Sequence, residues 1–379
     1  MRDDLTPQPS TPAAPGRDAP PAPPQVAPGP ATAGGDRPAR RPSWLRAAIW
    51  SLVVLAAGTV LGGAGYRLER SYLIKLPEAT RTAGGWRLTA RSGQELSGLG
   101  LNGSRLIWQD GASIEYMDTA DGDLILLGPG AGMRVTWDPA VSDRYAVWFE
   151  AERQMSVAAE LVVYDTVTGR RWSDGDVGSV RSFPALSGSL AVWCSAVKLG
   201  QPRILGSYVA GGEQFIPVAD GDGAPVVSGG LVVWAQTWTG PFKAREIPGL
   251  AAVPVSASLT GGKLTGLALS GRTLVWGQES SAAGSGVVAA VDVDGGGQQT
   301  VASGITGLSG PSYDGRTVVW SETAAAGSRV MARRSGSGDA FVVAAVDAAV
   351  TEVAVSGGTV AWIQHTGGSY EIVLKGLPR

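Results

Sequence analysis

Three features of the sequence predict an all-β fold in which seven blades form a ring, a seven-bladed β-propeller. A seven-residue motif ending in tryptophan recurs seven times, and successive motif tryptophans lie 40 to 45 residues apart. Strand-like stretches surround each motif and are separated by turn residues, above all by glycine, of which the chain has 55. A repeat of this length with strand-like contents is typical of propeller blades.

The motif combines a tight turn with an apolar strand. In every copy the second turn residue lies five positions before the tryptophan, and glycine, the usual residue there, adopts positive φ at low cost. The copies read NGSRLIW, SDRYAVW, SGSLAVW, SGGLVVW, SGRTLVW, DGRTVVW and SGGTVAW, and they end at Trp108, Trp148, Trp193, Trp234, Trp276, Trp320 and Trp362.

Each repeat is predicted to contain four strands. A short first strand ends at the turn, and the second strand, such as Leu190–Trp193, is apolar on both faces, as expected between two neighbouring blades. Third and fourth strands follow, for example in LVVYDTVTGR (161–170) and QFIPV (214–218). We therefore expect the seven tryptophans to form the core between blades.

The last repeat lacks a fourth strand, because the chain after Trp362 offers only YEIVLKG (370–376). A strand-like piece without a repeat of its own, Trp86–Ala90, precedes the first motif. We expect this N-terminal strand to complete the last blade and close the ring, since closure removes exposed sheet edges. The propeller is accordingly predicted over residues 84–379.

The N-terminal part of the chain has a different composition. Residues 1–43 are rich in Pro and Ala and are predicted to be a disordered tail. Residues 44–66 are predicted to be one transmembrane helix, since the run 47–66 is uncharged and long enough to cross a bilayer. Residues 67–83 would then be a juxtamembrane linker.

The arginines around this helix set its expected orientation. Arg37, Arg40, Arg41 and Arg46 precede the apolar run, and Arg67, Arg70 and Lys75 follow it. This small excess of positive charge favours a single-pass cell-membrane protein with a cytoplasmic N-terminus and an extracytoplasmic propeller.

Charge and residue types exclude several classes of chemistry. The formal net charge is −2, which provides no basic field for nucleic acid, so no nucleic-acid partner is predicted. The chain has a single cysteine, Cys194, and a single histidine, His365, and no phosphate-binding or nucleophile motif. No catalytic residue, metal or cofactor is predicted.

One polar position recurs two residues beyond each motif tryptophan. If the first strand of each blade is innermost, these residues surround the ring axis near one mouth, where propellers commonly bind ligands. The alternative is that they satisfy backbone groups where strands end. The residues are Asp110, Glu150, Ser195, Gln236, Gln278, Glu322 and Gln364.

The loops after the second strands vary, whereas the hairpin turns opposite are uniform. The loop 235–245 carries Trp238, Phe242, Lys243 and Arg245. An exposed aromatic residue flanked by cations suits a protein or envelope-glycan partner. The alternative is that both aromatic side chains only cover the edge of a blade.

The segment Pro311–Trp320, PSYDGRTVVW, resembles the repeat of TolB-like (WD40-like) β-propellers, in which a proline precedes a Ser/Asp-Gly hairpin and an aliphatic–aromatic strand. Pro139, Pro184 and Pro225 occupy similar positions. Most turns here use Ser-Gly instead of Asp-Gly, and three copies lack the proline. The resemblance implies a bacterial propeller that binds proteins or serves as an accessory domain.

Two functions follow from these observations. The first is a membrane-anchored, non-catalytic protein-binding or scaffold module at the bacterial cell envelope. The second is an envelope enzyme that acts on polysaccharide, or a small-ligand receptor, using Asp110, Glu150 and Glu322 on the loop side of the ring. A deep axial pocket with clustered carboxylates would favour the second function.

Overall fold

A computed structural model describes residues 79–90, 95–128, 135–152, 159–196, 202–211, 215–237, 239–259, 262–280 and 284–378. The predicted tail (1–43), the predicted transmembrane helix (44–66) and residues 67–78 of the predicted linker lie outside these ranges. No helix within the described ranges is long and apolar enough to span a membrane. The regular secondary structure of these ranges is β-strand, as the sequence predicts.

The strands follow the sequence repeat, and β1 (Ala79–Thr82) and β2 (Gly85–Thr89) precede the first repeat. Repeats 1 and 2 contain β3 (Leu96–Asn102), β4 (Arg105–Asp110), β5 (Ser113–Asp118), β6 (Asp123–Leu126), β7 (Val135–Val141), β8 (Tyr145–Ala151), β9 (Ala159–Asp165) and β10 (Arg170–Val180). Repeats 3 and 4 contain β11 (Ala185–Ser187), β12 (Leu190–Ala196), β13 (Pro202–Tyr208), β14 (Ile216–Asp220), β15 (Pro225–Ser228), β16 (Leu231–Ala235), β17 (Phe242–Glu246) and β18 (Ala251–Val253).

Repeats 5 and 6 contain β19 (Gly262–Ser270), β20 (Thr273–Ser280), β21 (Ser285–Asp292), β22 (Gln299–Thr306), β23 (Ser312–Tyr313), β24 (Thr317–Thr323), β25 (Ser328–Arg334) and β26 (Phe341–Val346). Repeat 7 contains β27 (Ala349–Ser356), β28 (Thr359–Thr366) and β29 (Ser369–Gly376).

Five sheets correspond to one repeat each. Repeats 1, 4, 5 and 6 form four-stranded antiparallel sheets, and repeat 7 forms a five-stranded sheet with β1 and β2. Repeats 2 and 3 instead share one eight-stranded sheet, so seven separate sheets are not observed. The reason is that β10 continues past bulges and pairs Ser179 and Val180 with Ala196 and Ser195 of β12.

The first strands of the repeats form the inside of the ring. Each contacts the first strands of the preceding and following repeats, in the cyclic order β3, β7, β11, β15, β19, β23, β27 and back to β3. The arrangement is therefore that of a β-propeller, in which successive blades pack around a central axis.

The motif tryptophans are buried between repeats, as the sequence predicts. Each is at most 3% exposed. Each also lies in an apolar cluster with residues of the preceding repeat, including Ile363 for Trp108, Ile107 for Trp148, Phe149 for Trp193, Val192 for Trp234, Val233 for Trp276, Val275 for Trp320 and Val319 for Trp362.

The N-terminal strand completes the last sheet, and this prediction is confirmed. β2 pairs with β29 in antiparallel register, with Trp86 opposite Leu374 and Leu88 opposite Ile372. The sequence prediction missed β1, which pairs with β2 and lies within residues assigned to the linker. The folded part therefore extends at least to Ala79, because the edge of β2 away from β29 also has a partner strand.

The serine of the hairpin turn joins successive repeats. The Oγ atoms of Ser187 and Ser228 accept hydrogen bonds from the backbone N–H of Gly229 (2.9 Å) and Gly271 (2.8 Å) in the next repeat. Ser356 does the same for Gly103 of repeat 1, across the closing junction. This contact gives a structural role to the Ser-Gly turns that depart from the TolB-like pattern.

Candidate functional site

The two ends of the ring carry different connections between strands. We call the end that carries the turns between first and second strands the hairpin face, and the opposite end the loop face. The connection 181–184 between β10 and β11 lies on the loop face, where Arg181 N–H bonds the carbonyl of Cys194 near the end of β12. The predicted polar residues also lie at this level, two positions past each motif tryptophan.

Two of these polar residues hold the motif tryptophans. Glu150 accepts hydrogen bonds from Trp148 Nε1 (2.9 Å) and from Arg171 Nη2 (2.5 Å). Gln364 accepts one from Trp362 Nε1 (2.9 Å) and donates one to Glu371 (2.8 Å). Both side chains are buried. They bond tryptophan and charged side chains within their own repeats.

The other predicted members differ from one repeat to the next. Asp110 and Gln278 are buried, whereas Gln236 is exposed. Glu322 forms an ion pair with Arg329 (2.7 Å) of the same repeat. Ser195 donates hydrogen bonds to the carbonyls of Val177 and Ser179. The position therefore serves local polar partners in several repeats, and the partner depends on the repeat.

The loop 235–245 differs from its predicted form. Trp238 lies outside the described residues. Phe242 was expected as an exposed aromatic residue, but it is 4% exposed on β17 and packs edge-on against Trp276 at a centroid distance of 5.1 Å. Lys243 is exposed on the same strand. Of the two interpretations of this loop, an exposed Phe242 is therefore wrong, and the alternative, in which this ring only covers the edge of a blade, holds, because the ring belongs to the core between repeats 4 and 5.

Arg245 lies at a position that joins neighbouring repeats. It stands opposite Val232, and its Nη1 donates to the carbonyl of Val218 (2.6 Å) in the fourth strand of repeat 3. Arg333 and Lys375 occupy the equivalent register and donate to carbonyls of the preceding repeats. Arg245 thus has a structural partner, which sequence reasoning missed because the partner is distant in the chain.

Phe183 is an exposed aromatic residue that sequence reasoning missed. Its exposed fraction is 60%, and it belongs to the connection 181–184 on the loop face. Two ion pairs lie in the same part of repeat 3, Arg181 with Asp222 (3.5 Å) and Arg203 with Asp220 (3.0 Å). The position of Phe183, directly before the repeat proline Pro184 and outside a regular strand, is the sequence feature that could have indicated its exposure.

The half-buried side chain of Glu352 joins the inner strands of repeats 7 and 1. Glu352 accepts hydrogen bonds from the backbone N–H of Gly98 (3.1 Å) and Leu99 (2.7 Å). In repeat 2, Asp138 accepts a bond from Ser97 Oγ (2.9 Å). Burial raises the pKa of both carboxyls, and the charges of Asp138 and Glu95 raise that of Glu352 further. We call Glu352 and its two N–H donors the closing clasp.

Other chemistry-bearing side chains have structural surroundings. His365 stacks on Tyr370 at a centroid distance of 4.3 Å. Cys194 is buried, and burial raises the pKa of its thiol. Within the described ranges, no group of three His, Cys, Asp or Glu side chains is arranged to hold a metal ion.

Comparison with solved structures identifies the class of fold. An oligogalacturonate lyase in complex with manganese matches with a TM-score of 0.57 at 14% identity, over 81% of this chain and 98% of the lyase. The β-propeller domain of the Trilobed protease from Pyrococcus furiosus, described as having an open velcro topology, matches with a TM-score of 0.55 at 9% identity, over 74% of this chain and 94% of that domain. The chain is therefore a β-propeller.

The matches also include multidomain enzymes and TolB. A prolyl endopeptidase matches with a TM-score of 0.54 at 12% identity, and 75% of this chain spans only half of that protein. TolB from Acinetobacter baumannii is also among the matches, at 13% identity and a TM-score of 0.42. The propeller fold that the repeat predicts is confirmed by the matches to the lyase and to the protease domain. No protein-family profile and no curated protein sequence matches the chain.

Proposed function

We propose that this protein is a seven-bladed propeller that serves as a protein-binding or scaffold module at the bacterial cell envelope. The blade count takes the eight-stranded sheet as two blades, because its two halves each contain one sequence repeat and one buried motif tryptophan. The cyclic contacts of the seven first strands support the same count.

Phe183 on the loop face is the observation that carries this proposal. A large aromatic side chain with 60% exposure favours a protein partner, because aromatic residues bury much area at low cost in conformational entropy. The neighbouring ion pairs of Arg181 and Arg203 would supply a polar rim around it. Glu150 and Glu322, which an enzyme would need to use freely, are engaged with arginines of their own repeats.

The proposal is tested by the partners of the full-length chain in its native membrane. Proximity labelling and co-purification would compare the unmodified chain with a Phe183→Ala variant. Loss of a defined protein partner on this substitution is expected. Val167→Ala is the matched control, because Val167 is 67% exposed in the turn between β9 and β10 on the hairpin face. Equal partner sets for all three chains would contradict the proposed role of Phe183.

Membrane attachment through residues 44–66 is part of the same proposal. The propeller would be extracytoplasmic and the N-terminus cytoplasmic, with the proline-rich tail inside the cell. Alkaline phosphatase fused after residue 78, immediately before β1, is expected to be active. An inactive fusion with an active cytoplasmic reporter at the same site would reverse this orientation.

A further inference from the structure

One backbone hydrogen bond recurs in all seven repeats and defines an equivalent position just after the third strand. The N–H of this residue bonds the carbonyl of a residue in or just after the turn between the first and second strands of its own repeat. We call it the plug position. In repeats 1 to 7 the residue at this position is Thr119, Thr166, Val209, Ile247, Val293, Ser335 and Leu377. The carbonyl that accepts its N–H belongs, in the same order, to Ser104, Arg144, Ser189, Gly230, Arg272, Arg316 and Gly358.

An aliphatic side chain fills the gap to the preceding repeat at four plug positions. Val209, Ile247 and Val293 are at most 6% exposed, and Leu377 packs on the cluster between repeats 6 and 7. At Thr119 and Thr166, long side chains from outside the repeat lie against the position. Trp86 donates to the carbonyl of Thr119, and Arg105 donates to Thr166 Oγ1.

Ser335 is the exception. Its side chain is short, and its hydroxyl lies 3.3 Å from Tyr313 Oη. A cavity of about 280 Å³ opens at this junction between repeats 5 and 6. Val275 and Val318 contribute apolar surface to it. The cavity therefore follows from the replacement of an aliphatic plug by serine.

The walls of the cavity are polar and carry charge. Hydroxyl-bearing residues line it, together with two arginines and the carboxylate of Asp292. Arg333 is anchored by the carbonyls of Thr300 (3.2 Å) and Val301 (2.6 Å) through Nη1 and of Ser337 (3.3 Å) through Nε. Within the described residues its Nη2 has no hydrogen-bond partner and no carboxylate pairs with it. Its guanidinium is thus held in place with one donor end available.

We propose that this cavity binds an acidic sugar residue of a glycan. The two arginines against one carboxylate leave a net positive charge, which favours a ligand with a single negative charge. Asp292 and the hydroxyls of Thr300, Ser335 and Ser337 match the donors and acceptors of a polyhydroxylated ring. Tyr313 and the two valines supply the apolar surface on which the C–H face of a sugar packs. The volume suits one such ring.

The site is separate from the loop face used in the proposed function. It lies on the hairpin side, next to the turn that contains Gly315. The acidic sugar and the protein partner therefore bind independently, and one proposal can fail without the other.

Saturation-transfer NMR on the full-length chain with free D-glucuronate tests the site. We expect transfer to the glucuronate ring protons, much less to D-glucose, and no competition by equimolar inorganic phosphate. Ser335→Ile places at this position the residue that Ile247 provides in repeat 4, and it should weaken binding at least tenfold. Thr366→Ile, a matched change at an exposed hydroxyl on the loop face, should leave binding unchanged.

A second variant tests the same site in case Ser335→Ile does not fold. Arg333→Lys keeps the charge and removes the fixed guanidinium fork, so it should also weaken glucuronate binding at least tenfold. Absence of glucuronate binding to the unmodified chain would overturn the proposal, as would unchanged binding by a folded Ser335→Ile variant. Displacement of glucuronate by phosphate would assign the site to a phosphate group instead.

Discussion

The junction between repeats 7 and 1 and the junction between repeats 5 and 6 join similar sheets in different ways. At the first junction the repeats lie at opposite ends of the chain, and it has strand pairing by β2, the closing clasp of Glu352 and the Ser356–Gly103 bond. At the second the connection is covalent. At this second junction Gly266 and Gly310 lie in close contact, and the cavity next to Ser335 remains between the repeats. The difference teaches that different polar groups can hold two junctions of one ring: backbone N–H groups bond Glu352 and Ser356 at the first, and the Arg333 guanidinium bonds the carbonyls of Thr300 and Val301 at the second.

Removal of the N-terminal strand β2 should reduce the stability of the folded part more than any other change considered below. Deletion of residues 84–91 removes the partner of β29 and the buried Leu88, and it exposes a sheet edge. We expect the cooperative unfolding transition to be lost, as measured by near-ultraviolet circular dichroism during heating. Unaltered melting of the deletion variant would show that the ring does not depend on this strand.

Matched glycine substitutions compare a close contact of repeat 1 with repeat 2, next to the closing clasp, with the close contact between repeats 5 and 6. A Cβ on Gly98 would lie 2.9 Å from Asp138 Cα, and Gly98 has φ of +65°, so Gly98→Ala should cost about 2–4 kcal/mol. A Cβ on Gly266 would lie 2.8 Å from Gly310 Cα, but no positive φ adds strain there, and about 1–3 kcal/mol is expected.

Urea unfolding of the two full-length variants measures these costs. Gly249→Ala serves as a control, because nothing lies within 4 Å of the added methyl group. A larger loss of stability for Gly266→Ala than for Gly98→Ala would reverse the expected ranking of these two glycine contacts.

Loss of the closing clasp should have a smaller effect. Glu352→Gln keeps the shape of the side chain but presents an N–H₂ group to one of the two backbone donors at Gly98 and Leu99. We expect the free energy of unfolding to fall by about 1–3 kcal/mol. Glu279→Gln is the control, because Glu279 is also a half-buried glutamate on a strand and lies outside the clasp, on β20 of repeat 5. If both variants unfold at the same urea concentration, the clasp contributes nothing measurable.

The smallest expected change in the free energy of unfolding comes from protonation of Glu352 and Asp138 as the pH is lowered. The pKa values of Glu352 and Asp138 are raised above their ordinary values of 4.5 and 3.8, chiefly by burial. A carboxyl with a higher pKa in the folded state contributes stability that is present at low pH and is lost as the pH rises through its folded pKa.

We therefore expect the stability difference between the unmodified chain and Glu352→Gln to be larger near pH 4 than near neutrality. Urea unfolding at several pH values measures this difference. A constant difference over this range would mean that Glu352 does not titrate differently in the folded and unfolded states.

Much of the fold was predictable, but little of the candidate site was. Burial of the motif tryptophans and pairing of the N-terminal strand follow from local patterns that each repeat carries by itself. The merger of repeats 2 and 3 was not predictable, since it depends on how far β10 continues past its bulges. The exposures of Phe242 and Phe183 were not predictable either, because burial depends on which neighbouring repeat faces each ring.

The sequence by itself determined the repeat, the position of each tryptophan in the core and the strand that closes the ring. These features rest on short-range periodicity, which hydrophobic burial and turn geometry translate directly into strands. Only the tertiary structure decided that Arg245 bonds a neighbouring repeat, that Glu352 bridges repeats 7 and 1, and that Ser335 leaves a cavity. The physical reason is that these contacts join residues of different repeats, whose spacing in the chain carries no periodic signal.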